Sequence, residues 1–119
     1  LFVAYTLLIV EPREQRSQRT EEEGRAVYGR MLEFAGKLQA RGVLRAAESL
    51  ASDKDGVRLQ KRGGESRLVD GPFAEAKEMI GGFFLLDVDT RDEAVAIAAE
   101  CPAAEWCTVE VRKVGPCFT

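Results

Sequence analysis

From residue 2 to residue 10 the chain is apolar on both alternating faces, with Phe2, Ala4, Thr6, Leu8 and Val10 set against Val3, Tyr5, Leu7 and Ile9. β-Branched and aromatic types at period two predict a strand that must be covered on both sides. Residues 11–19 turn charged and polar and carry the break at Pro12, so they read as a solvated connection. At Thr20 the period becomes helical. Thr20 with Glu23 three residues on forms a capping box, and Val27, Met31, Phe34, Ala35 and Leu38 make one apolar stripe. Gly42 suits the left-handed cap position, which ends this helix near Arg41.

"VLRAAESL", residues 43–50, predicts a second strand and "SDKDG" the loop after it. "VRLQKRGGESRLVD", residues 57–70, predicts a hairpin, because Gly63 and Gly64 supply the two positive-φ positions of a tight primed turn. That turn sets Arg62 opposite Glu65 and Leu59 opposite Leu68, pairing opposite charges and apolar side chains. "GFFLLDV", residues 82–88, is a further strand, apolar on both faces. Thr90 with Glu93 opens a second helix, Ala94, Ile97, Ala98 and Cys101 form its stripe, and Pro102 ends it. "CTVEVRKV", residues 107–114, closes the pattern as a strand with Cys107, Val109 and Val111 on one face and Thr108, Glu110 and Arg112 on the other.

This order, β-α-β, hairpin, β-α-β, predicts an α+β fold on the ferredoxin-like split βαβ plan, an antiparallel sheet with two helices on one face. Apolar residues on the other face then need a cover. A homodimer through the sheet face supplies one, closed by two-fold symmetry. The alternative is a loop, or the tail "GPCFT", folded over that face.

Composition narrows the classes. The 119 residues, 45% hydrophobic, suffice for one core and a single domain spanning 1–119. Lys plus Arg number 17 and Asp plus Glu 20, interspersed, for a net charge of -3, which argues against nucleic acid as a partner. No apolar run is long enough for a membrane span, and the opening run lacks the basic region of an export signal. The three cysteines, an odd count, fit free thiols in the cytoplasm. Cys101 and Cys107 fall on apolar faces, whereas Cys117 lies in the tail. With no histidine and no C-x-x-C pair a zinc site is not expected, no D-x-D-x-D-G loop offers one for calcium, and no cofactor is implied. Tyr5, Tyr28 and Trp106 make no stacking pattern for nucleic acid.

"DGPFAEAKEMIGGFF", residues 70–84, admits two readings. As a turn, Asp70 caps forward, Pro72 suits a first helical position and "FAEAKEM" can supply a short helix ended by Gly81. As a site, Gly71 lets an anion reach backbone donors, Lys77 adds positive charge, and Gly81 and Gly82 mark a bulge or a close backbone approach.

The stretch "VDGPFAEAKEMIGGFF", with "ARGVLRAAESL" after the first helix and "VEVRKV" at the end, resembles the YCII-related proteins, in the branch named after its D-G-P-F motif. The resemblance covers nearly the whole chain and implies a dimeric α/β barrel of ferredoxin-like subunits. Some members of the branch are similar to domains found with sigma factors, and a few YCII-like relatives are enzymes acting on small ring compounds through a proposed His-Asp pair. With no histidine, this chain cannot use that pair. The motif maps onto Asp70, Gly71, Pro72, Phe73, Glu75, Lys77, Glu78 and Gly82, and the wider match points to Glu48, Glu110 and Arg112. Relatives commonly carry Gly before that Glu where this chain has Ala47, which narrows the space there.

Among these residues Asp70, Glu48 or Glu110 is a general base if burial raises its pKa, with Lys77 or Arg112 stabilising negative charge. Glu110 and Arg112, two apart on one strand face, equally suit a structural ion pair. Three readings follow: a cleft between sheet and helices that binds or transforms a small anionic or hydroxylated metabolite, built from Asp70, Lys77, Glu48 and the Glu110–Arg112 pair; a non-catalytic dimeric module accompanying sigma-factor-type regulation; or a segment that only shapes the dimer.

Overall fold

The computed structural model describes residues 3–119; Phe2, expected in the first strand, lies outside them. In chain order the elements are β1 (Tyr5–Pro12), α1 (Glu21–Ala40), β2 (Leu44–Ser49), β3 (Val57–Arg62), β4 (Glu65–Asp70), β5 (Glu78–Leu86), α2 (Arg91–Glu100) and β6 (Thr108–Lys113). Four strands form one antiparallel sheet in the order β2-β5-β1-β6, and β3 with β4 forms a separate two-stranded sheet. β1 and β2 therefore run parallel with β5 between them, and β5 and β6 run parallel with β1 between them. These are two split βαβ units, the ferredoxin-like α+β plan. β2 and β6 end the sheet on either side, so one chain is an open sheet and not a closed barrel.

Alternation along β1 sets the layers. Tyr5, Leu7 and Ile9 bury in one cluster with Phe34 and Leu38 of α1 and with Ala94, Ile97 and Ala98 of α2, so both helices cover the same face. Phe34 meets Phe84 of β5 edge-on, ring centres 5.2 Å apart at 73°, a favoured aromatic geometry. The opposite face carries Leu8 and Val10 of β1 and Phe83 and Leu85 of β5, all only partly buried. Glu110 and Arg112 stand there too, across from Leu8 and Thr6.

The helix ends follow local chemistry. Thr20 accepts from the Glu23 backbone N–H while the Glu23 carboxylate accepts from the Thr20 N–H, so two otherwise unpaired donors are satisfied. At the other end Gly42 has φ 74°, and its N–H donates to the Gln39 carbonyl while that of Val43 donates to Leu38. This is a Schellman cap.

The hairpin has the expected register, Arg62 opposite Glu65 and Leu59 opposite Leu68, through a turn with Gly63 at φ 58° and Gly64 at φ 82°. It does not fold back onto the body. Every residue of β3 and β4 is exposed, and the chain's radius of gyration is 16.1 Å against about 13.5 Å for a compact domain of this length. The hairpin is an arm, and what anchors its base decides how the body is held.

Candidate functional site

Between α1 and the helix-covered face of the sheet, at the end where β1 finishes, lies a cleft of about 720 Å³. Val27 and Met31 of α1 and Phe84 of β5 give it apolar walls, and Glu11, Arg16 and Arg19 are among its charged lining. The row that buries Tyr5, Leu7 and Ile9 brings Glu11 next, and Glu11 is only 5% exposed. A buried carboxylate is costly without a partner. Arg16, in a single turn of 3-10 helix (Arg16–Gln18), supplies one, its Nε 2.6 Å from Glu11 Oε1. The approach is close but off-line, so Oε1 accepts no aligned hydrogen bond from any described residue.

The paired glycines make room for this arrangement. Gly81 is the extra residue where the β1–β5 register slips between Ile9 and Val10. A Cβ there would fall 2.8 Å from Glu11 Cδ and Oε1 and 3.2 Å from a guanidinium nitrogen of Arg16. At Gly82 it would lie 2.8 Å from the Glu48 carbonyl oxygen, so β2 approaches β5 closely here. One glycine is thus a bulge and the other a close approach, the two alternatives weighed for this pair.

Residues 13–19 carry two of these charges and are tied down on both sides. The Arg13 N–H donates to the Lys77 carbonyl at 3.1 Å, and Gln15 Nε2 donates to the Trp106 carbonyl at 2.6 Å. The Arg19 guanidinium lies 5.8 Å from the Trp106 ring centre and that of Arg30 5.2 Å, both within cation–π range. Cys107 also lines the cleft, but burial, reinforced by the Glu11 charge, pushes its thiol up to about 11. It stays protonated at neutral pH and is no nucleophile. Burial pushes Cys101 up as well.

The "DGPF" stretch builds the base of the arm. The Gly71 N–H donates to the Gly56 carbonyl at 2.8 Å, and a Cβ at residue 71 would stand 1.8 Å from the Asp53 carbonyl oxygen. Phe73 is buried, with the Arg58 guanidinium 3.8 Å from its ring centre. Both terminal guanidinium nitrogens of Arg13 donate to the Asp53 carboxylate. These bonds, with a smaller contribution from the Phe73 backbone, hold the Asp53 carboxyl below the ordinary range. "FAEAKEM", for which a short helix was available, forms a turn instead, with the Ala76 N–H donating to the Phe73 carbonyl at 3.0 Å. β5 then opens at Glu78, four residues before the expected strand start. The physical reason is that buried Phe73 and the Lys77 carbonyl's bond to Arg13 draw the chain into extended backbone.

The expected site residues therefore separate. Glu48 and Gly82 border the cleft. Phe73 and Glu78 border a second hollow of about 490 Å³ beside the arm's base. Asp70, Pro72 and Lys77 are exposed and border neither hollow, Gly71 is locked in the turn, and Glu75 pairs with Arg58 at 3.3 Å. Glu110 and Arg112 form an ion pair at 3.2 Å on the open sheet face. Glu11, Arg16 and Arg19 come from the stretch read as a solvated connection. The missed signal was that Glu11 extends the inward row Tyr5, Leu7, Ile9.

Among the described residues no helix is long and apolar enough to cross a membrane. A family model described as the YCII-related domain matches residues 5–117. The chain is also 31% identical over 110 residues, 91% of its own length and 89% of the relative's, to an uncharacterized protein of Rhizobium meliloti (strain 1021).

Proposed function

This chain belongs to the YCII-related family, and we propose that it binds a small anionic or hydroxylated metabolite in the cleft between α1 and the sheet. The observation that carries this reading is Glu11, a buried carboxylate paired with Arg16 in a cleft that Arg19 also lines. Arg16 and Arg19 would supply charge-assisted hydrogen bonds to the ligand's anionic group. Glu11 would accept from a ligand hydroxyl, and the same position suits proton abstraction with the developing charge held by the arginines. Val27, Met31 and Phe84 would shed water from the ligand's apolar body.

Trp106 is the chain's one tryptophan and lines the cleft, so its fluorescence reports occupancy directly. Titration with inorganic phosphate and a panel of small hydroxy-monocarboxylates is expected to shift Trp106 emission. Arg19→Ala is expected to weaken the response about tenfold or more, the worth of one charge-assisted bond. Asp70→Asn and Lys77→Met, outside the cleft, should leave it unchanged. Emission that ignores the whole panel at millimolar concentrations rejects the reading.

The open sheet face supports a homodimer. Leu8, Val10, Phe83 and Leu85 form its apolar centre and stay only partly buried, and a two-fold pairing of such faces covers both at once. Light scattering is expected to report twice the 13.1 kDa chain mass, and Leu85→Glu to return it to the single-chain value. A wild-type species of single-chain mass at micromolar concentration overturns the dimer. Cysteines that are all free fit a cytoplasmic setting for it.

A further inference from the structure

We infer that Arg13 and Asp53 are a positioning pair: seated on the Gly71 turn, they hold residues 13–19 across the cleft so that Arg16 and Arg19 face its interior. This rests on the binding reading of the cleft and extends it to the arm's base, which the motif residues build. The segment between β1 and α1 carries only one turn of 3-10 helix, so its place is set by contacts rather than by its own backbone bonds. Its tethers include Arg13 N–H to the Lys77 carbonyl, Arg13 side chain to Asp53, Gln15 to the Trp106 carbonyl, and Arg16 to Glu11.

Two of these run through Arg13 to the region around the motif. The Arg13–Asp53 pair is shielded, each side chain 15% exposed, so solvent screens it less than the exposed pairs of α1. Asp53 is itself held by several contacts. Its carbonyl accepts from the Gly56 N–H at 2.9 Å and lies against Gly71, and its carboxylate accepts from the Phe73 backbone. Only two residues separate Arg13 from Arg16, so slack at Arg13 reaches the cation of the cleft. On this account Gly71 and Phe73 act on the ligand at two removes. Asp70 and Lys77 serve through backbone alone: Asp70 closes the arm's ladder opposite Val57 and Lys77 offers its carbonyl.

Arginine side-chain Nε–Hε NMR spectroscopy of the full chain tests this. In the wild type the Arg16 Nε–Hε group, 2.6 Å from a buried carboxylate, is expected to give a resonance resolved from those of exposed arginines, and Arg16 and Arg19 to shift on adding inorganic phosphate or acetate. Asp53→Asn and Arg13→Gln are each expected to merge the Arg16 resonance into that of exposed arginines. Both should weaken the phosphate response about tenfold, as loss of a supporting shell does, while Leu7 and Phe84 backbone amides keep their positions. Asp53→Glu, which retains the carboxylate, should restore much of the wild-type spectrum. An Arg16 resonance that stays resolved in Arg13→Gln overturns the positioning role, and this variant decides alone should Asp53→Asn fail to fold. Wild-type resonances that ignore phosphate and acetate reject the binding reading instead, and the Arg16 comparison between variants still settles the positioning.

Discussion

Gly71→Ala is expected to destabilise the protein by on the order of 2–4 kcal/mol, although it adds one methyl group at a partly exposed position. The added Cβ would stand 1.8 Å from the Asp53 carbonyl oxygen and 2.9 Å from its carbon. Both are backbone atoms, so no side chain can swing aside, and either the 53–56 turn or the 70–73 turn must move. The Gly71 N–H bond to Gly56 and the seat of Asp53 go with it. For a chain of this size the loss corresponds to a melting temperature lower by roughly 10–20 °C, measurable by circular dichroism. Gly36→Ala in α1 is the control: beyond the helix's own backbone no described residue lies within 4 Å of a Cβ there, and alanine in an exposed helix is worth up to about 1 kcal/mol over glycine. The same methyl group should therefore harm at one site and help at the other. Melting of Gly71→Ala within a few degrees of wild type would show that the two turns do not constrain each other.

Arg16→Gln is expected to be nearly as costly, about 2–3 kcal/mol, because it leaves the Glu11 carboxylate buried without its cation. The figure sits below that for a fully enclosed pair because the Arg16 side chain is 32% exposed against 7% for Glu11, so some water can replace the guanidinium. The sharper result is the double variant Glu11→Gln with Arg16→Gln. Removing both charges eliminates the uncompensated carboxylate, so chemical denaturation should find the double variant more stable than Arg16→Gln alone. Its response to phosphate should nonetheless be lost. Stability would then return without ligand response, because both variants lack the Arg16 guanidinium. A double variant whose losses simply add would show that the two residues act independently.

Much of the architecture was readable in residue order because local chemistry determines it. Gly63-Gly64 dictates the arm's register, Thr20 with Glu23 and Gly42 bracket α1, and the double alternation of β1 announces a sheet that needs cover on both faces. The candidate site was less readable because it depends on distant partners. Asp70 and Lys77 carry the residue types of a site, yet their neighbourhood is made by Asp53, whose ion pair with Arg13 spans 40 residues of chain. Glu11 sits at the end of an apolar strand beside a proline, where a charge ordinarily marks the way out to solvent. Only the β5 bulge at Gly81 and the return of Arg16 turn that position inward.

The arm's tip offers one consequence outside stability and binding. Apart from its chain neighbours, no described residue lies within 4 Å of a Cβ built at Gly63 or Gly64, and β3 and β4 touch solvent along their whole length. Lengthening such a loop costs only about 0.6 kcal/mol per doubling. New sequence can enter the chain at this turn, a peptide tag or a whole domain, while the turn at Gly71 shields the body from what is grafted beyond it.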